Sequence, residues 1–254
     1  MTKIQTEPIF EVTKRITIDV NDVDGTMLHF DADPVGPQDH FRLRILTNYS
    51  ERYSGVVMPT IGELVPLISA SFIKTGEIEE VEGIVQALLK NPIMGRTMVV
   101  MGEDGILVDD NPPLELLDDV IAYERSLRSR LDSEEKDGVI YSRDGVVRFV
   151  SNRKFHLGPE PSLKFAENKG LIAIVGNKSR AEMLAKRGIE FYACQSRLGD
   201  SFNSCESPEL RVASIGGSVG DHLEINLSDP HKDYGYSFRK YKETSLLGHK
   251  PLSG

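Results

Sequence analysis

The sequence has no tryptophan, only two cysteines and 7% aromatic residues over 254 positions. Cys194 and Cys205, in a chain without a secretion signal, read as free thiols and not as a disulfide framework. With no CxxC and no paired His/Cys spacing, they offer no zinc site. The six histidines show no HxH or HxxxH spacing either, which argues against a histidine-built metal centre. No apolar run approaches the roughly 18 residues of a membrane span, and the opening MTKIQTEPIFEV lacks the apolar centre of a signal peptide. The expectation is a cytoplasmic chain with no membrane partner. A formal net charge of −9 opposes non-specific binding to nucleic acid or anionic surfaces.

What is present is ordinary globular composition, 39% apolar and 27% charged, in a length that accommodates one or two domains. Residues 8–58 alternate short β-prone runs (FEVTKRITIDV, TMLHF, FRLRIL, SGVVM) with Gly, Pro, Asp and Asn punctuation, the pattern of a small antiparallel sheet. The period then changes, because Thr60 and Glu63 are spaced as a capping box and open a helix containing Pro66. GEIEEVEGIVQALLKN predicts a second helix, RTMVVMGEDGILVDD a strand, turn and strand, and NPPLELLDDVIAYERSLRSRL a third helix with Pro113 near its start. DSEEKDG reads as a solvated loop. LIAIVGNKSRAEMLAKRGIEFYAC reads as a βαβ unit, with a strand at 171–175, a tight turn at Gly176, a helix ending at Gly188 and a strand at 189–194. ELRVASIGGSVGDHLEINL predicts a further hairpin with a glycine-rich tip. The expected class is α/β, a mixed sheet flanked by helices and preceded by a β-rich segment. Its expected divisions are 1–59, 60–228 and a C-terminal tail, 229–254.

Two places carry candidate chemistry. In GNKSRAE, Ser179 and Glu182 have capping-box spacing, so Gly176, Asn177, Lys178, Ser179 and Arg180 would present free N–H groups and two cations to an anion. The alternative is that Ser179 only caps a helix and the cations are solvated. Asp137-Gly138 opens an apolar run, where an aspartate can bind a divalent metal or take a proton from a sugar hydroxyl. Its alternative is a turn, since Asp-Gly is a common turn pair. Asp144-Gly145, between two β-prone runs, reads as a hairpin turn. The tail interleaves Tyr234, Tyr236, Phe238 and Tyr241 with Lys232, Arg239, Lys240 and Lys242, a pattern that suits nucleic-acid stacking or an edge strand.

The order of GIVQALLKNPIMGRTMVVMG, KDGVIYSRDGVV and GNKSRAEMLAKRGIEFYAC resembles the diadenylate cyclase domain, over about residues 76–196. There the family has a helix and apolar strand, a strand opening with DGA, and an RHR turn leading into a helix. The resemblance implies ATP as the purine nucleotide, with Asp137 and Mg²⁺ or Mn²⁺ acting on a sugar hydroxyl. It also implies Gly138 and the 176–180 turn as nucleotide-binding residues, and a homo-oligomer with facing sites. Val139 replaces the family's alanine, and the turn has no histidine. The expected function is therefore a nucleotide-binding protein of the nucleotidyltransferase kind. The competing expectations are a non-enzymatic nucleotide sensor, or an assembly protein that binds protein or nucleic acid through its tail.

Overall fold

The computed structural model describes residues 17–46, 55–71, 91–113, 119–155, 164, 166–186, 191–193, 207–217 and 223–242. The predicted helix over GEIEEVEGIVQALLKN falls almost wholly outside them, as do both cysteines and the glycine-rich tip at 218–222.

The capping box forms as its spacing predicts. Thr60 N–H donates to Glu63 Oε2 at 2.8 Å and Glu63 N–H to Thr60 Oγ1 at 3.1 Å, which satisfies two of the donors a helix start leaves open. Helix α2, Ile61–Ser71, follows, with Ile61, Leu64, Val65, Leu67 and Ile68 fully buried. Each such side chain contributes roughly 1.5–3 kcal/mol by leaving water. Before α2 come β1 (Thr17–Asn21), β2 (Met27–Asp31), β3 (Val35–Asp39), helix α1 (40–46) and β4 (Val56–Val57). Two expectations fail here. FRLRIL lies in α1 instead of a strand, and the supposed linker DADPVGPQD supplies β3.

After α2 the chain forms β5 (Ile93–Gly102) and β6 (Gly105–Asp109), an antiparallel hairpin in the predicted place. Helix α3 is Val120–Ser129, capped by the Asp119 side chain. Pro113 therefore precedes the described helix. Strand β7, Leu131–Lys136, occupies the predicted loop DSEEKDG. Next are β8 (Val139–Ser142), β9 (Val147–Ser151), α4 (Lys169–Val175), α5 (Lys178–Ala185), β10 (Phe191–Ala193), β11 (Glu209–Gly217), β12 (Leu223–Ser228), β13 (Tyr234–Ser237) and β14 (Lys240–Tyr241). The ladder runs β10-β12-β11-β5-β6-β9-β8-β7, while β13 joins β3 to β5. The broad class, a mixed sheet with helices, holds, and strands outweigh helices.

The βαβ reading is corrected at its first strand. Residues 169–175 form helix α4, with Gly170 through Val175 all buried. Periodicity cannot separate a short buried strand from a buried helix turn, and the end groups decide. The Asn168 side chain accepts from Gly170 and Leu171 N–H, and Gly176, at φ 96°, closes the other end by donating to the Ile172 carbonyl. Helix α4 fits because Gly62 lets α2 approach it, since a Cβ there would collide with the Val175 carbonyl.

The smaller sheet has the order β1-β2-β14-β4. Strand β14 comes from the segment read as a tail, yet it sits inside the N-terminal sheet. Phe238 is fully buried, edge-on to Phe30 at 6.4 Å. Arg239 pairs with buried Asp31 at 3.0 Å, Lys240 with Glu63 at 2.6 Å and Lys232 with Asp229 at 3.1 Å. Arg239 and Lys240 are thus paired with carboxylates of the N-terminal part of the fold, and Lys232 with its neighbour Asp229.

Candidate functional site

Asp137 and Gly138 form the two-residue turn between β7 and β8, where Lys136 faces Val139. Both have positive φ, 54° and 82°, the requirement of a type I′ hairpin turn, for which Asp-Gly is a preferred pair. Lys169 packs where a Cβ of Gly138 would lie. Asp144-Gly145 turns the chain between β8 and β9 as expected. There the Ser142 hydroxyl and the Val146 N–H donate to Asp144, holding its carboxyl below the usual range with Arg130 assisting.

The helix at 178–185 exists, but its cap is Asn177, whose side chain accepts from Arg180 N–H at 2.9 Å. Ser179 is an exposed residue of the first turn. The Arg180 side chain folds back over the junction, with Nη1 donating to the Val175 carbonyl at 3.4 Å. Its Nε and Nη2 donate to the two oxygens of buried Asp22 at 3.2 and 2.5 Å. Burial opposes the charge, yet the Asp22 carboxylate holds the guanidinium above its ordinary pKa. Arg180 thus ties α5 to the end of β1, and a fork already filled by a carboxylate has little left for a phosphate.

The structure nonetheless brings the two candidate places together. Asp137, Gly176, Asn177, Lys178 and Ser179 line one open cleft of about 740 Å³. Its β wall is the outermost strand, β7, with Asp132, Glu134 and Lys136, the same-face positions of the period-2 pattern. Tyr141 and Arg143 continue that wall, and Glu182 of α5 stands on the helical side. Burial raises the pKa of Tyr141, Arg148 lowers it and Asp137 raises it further. The lining holds five carboxylates, Asp132, Glu134, Asp137, Asp144 and Glu182, against Lys136, Arg143 and Lys178. Lys178 lies 3.9 Å from Glu182 on its own helix. The excess is negative, which disfavours a polyphosphate. Asp132, Glu134, Lys136 and Arg143 carried no sequence signal, because the edge-strand role of 131–136 is set by pairing with β8 through an irregular register.

Beneath the cleft, Arg148 is 2% exposed and links three segments. Its Nε donates to the Ala173 carbonyl at 2.6 Å, its Nη1 to the Gly145 carbonyl at 3.0 Å, and Nη1 lies 2.7 Å from Asp110. Asp110 in turn accepts from the Thr97 hydroxyl, whose oxygen receives the Ile61 N–H. This chain positions α4, the 145 turn and the start of α2 together, so the cleft floor is held by the core. Among the described residues, no group of three His, Cys, Asp or Glu side chains is placed to hold a metal ion. Asp137 stands at a turn without a second ligand from such a group, a poor fit to the Mg²⁺ or Mn²⁺ of the cyclase reading. No helix among the described residues is long and apolar enough to cross a membrane.

The diadenylate cyclase resemblance is corrected by these placements. The residues ahead of Asp-Gly form a strand and a hairpin turn instead of a loop opening a strand. The apolar run before the 176–180 turn is a helix, and the turn's arginine is committed to Asp22. No family model matches the chain, and no curated protein matches it. One solved structure is similar in shape, a chain described under the accommodation of massive sequence variation in Nanoarchaeota by the C-type lectin fold. It is 12% identical, with a TM-score of 0.45 over 91% of this chain and 99% of that one. Nucleotide binding was expected on the cyclase resemblance, which no family model or curated protein supports.

Proposed function

We propose that the chain is a non-catalytic binding protein whose cleft, between the β7–β8 hairpin and the α4–α5 junction, receives a basic segment of a partner protein. The carrying observation is the negative excess of one cleft built along a sheet's outermost strand. An edge strand offers unpaired backbone groups to an extended segment, and side chains alternate toward the wall. Asp132 and Glu134 would meet cationic side chains, and the Tyr141 ring would flank their aliphatic stems. Charges on edge strands also discourage unwanted pairing, so an acidic edge admits only a partner of opposite sign. This keeps the assembly-protein expectation but moves the contact from the tail to the cleft.

The test is fluorescence anisotropy with labelled peptides rich in lysine and arginine, against acidic and neutral peptides of equal length, over a salt series. Binding of the basic peptides alone, weakened by salt and by the double substitution D132N/E134Q, supports the reading. Equal binding of all peptides, or unchanged affinity in the double variant, would sink it.

A further inference from the structure

At β5, buried positive charge is only partly balanced, by Asp109 beyond ion-pair distance. Helix α1 touches this strand through His40. His40 Nε2 donates to the Gly95 carbonyl at 3.1 Å, and Arg44 follows one helical turn later, beside Arg96. Burial, and secondarily Arg44, push the His40 pKa down to about 3, so the imidazole is neutral and adds no charge. Arg44 is 8% exposed, and its Nη2 donates to the Pro112 carbonyl. Its Nη1 and the Nε of Arg96 are buried with no hydrogen-bond partner. Neither guanidinium forms an ion pair with a carboxylate among the described residues. The nearby Asp109 is already occupied, accepting the Asn111 N–H and the Tyr123 hydroxyl at 2.8 Å each, with Arg130 at 3.9 Å.

A buried guanidinium beside a half-buried one, each with an unused buried donor, is costly unless something compensates it. Their planar forks match the oxygens of a carboxylate or phosphate. We propose that Arg44 and Arg96 hold a small oxyanion, a carboxylate or phosphate group, between α1 and β5. Burial lowers the Arg44 pKa, Tyr123 and Asp109 raise it, and Arg96 lowers it least; a bound anion would relieve that last repulsion. This site stands apart from the cleft, and its outcome is independent of the basic-segment reading.

The probes are inorganic phosphate and malonate, added to the whole chain at ionic strength held constant with sodium chloride, with Tm as the readout. At about 100 times Kd, the anion should raise Tm by about 5 °C or more. R96Q should remove that rise, and in anion-free buffer should melt at or above the parent's Tm, because an unbalanced charge is gone. R96K, which keeps charge but not the fork, should bind about tenfold more weakly and serves if R96Q does not fold. A larger response to phosphate identifies a phosphate group as the ligand chemistry, and a larger response to malonate a carboxylate, such as an acidic side chain of a partner. No response to either anion overturns the proposal, and so does a response unchanged in both variants.

Discussion

The cleft and the Arg44–Arg96 cluster are both electrostatically unbalanced, in opposite senses and at different depths. The acidic residues of the cleft's outer wall, Asp132, Glu134 and Asp137, are exposed, and water solvates unpaired carboxylates there at little cost. In the cluster Arg44 is buried, and Arg96 is half-buried with its Nε out of reach of water. An uncompensated charge in that setting is a large penalty. The same imbalance therefore means different things. In the cleft it selects the sign of a partner, and in the core it demands one.

That contrast orders the expected effects of substitution. The largest belongs to Arg148, where R148A removes one side of the buried pair with Asp110 and two carbonyl contacts. Equilibrium unfolding in urea should show a loss of about 3–5 kcal/mol. Second is the pH dependence of His40. Its folded pKa is depressed to about 3 from 6.5, so the unfolded state binds the extra proton. Stability from this group is present above pH 6.5 and is lost as pH falls toward 3, by a few kcal/mol. Tm measured across that window should fall more steeply in the parent than in H40N. Third, Y123F removes the hydroxyl donor from Oδ2 of buried Asp109, leaving it the Asn111 N–H on Oδ1, and should cost about 1–3 kcal/mol. Fourth, T60A breaks the capping box of α2, for about 1 kcal/mol in the same assay. Smallest is the cleft wall, where D132N/E134Q should shift stability by no more than about 0.5 kcal/mol. A double variant that unfolds the protein would show that the cleft's charges hold the fold instead of awaiting a partner.

Local signals carried the parts of the fold that local chemistry decides. Thr60 and Glu63 announced a helix start, and both predicted hydrogen bonds are made. The 93–109 and 209–228 hairpins were legible because apolar runs flank turn residues on both sides. The run at 171–175 was not, because an apolar segment buried all round carries no period. Its signature lay in Asn168 and Gly176, the caps at its ends. The β7 strand was hidden by its charge, since a sheet's outermost strand need bury nothing. Asp137 was read for chemistry where its positive φ shows a turn. The joint use of that turn and residues 176–180 was implied only by the cyclase resemblance, and the tie of Arg180 to Asp22, across 158 positions, has no local trace.

The placement of β14 between β2 and β4 bears on how the chain comes off the ribosome. Strands β1 and β2 emerge early and can pair with each other. Their sheet nevertheless stays open on one side until Lys240 and Tyr241 have been synthesised, some two hundred residues later. Until then the faces of Phe30 and Leu28 have no Phe238 to cover them, and an unpaired edge is exposed to other nascent chains. Such long-range closure slows folding. Strands β1 and β2 thus wait on a segment made about two hundred residues after them.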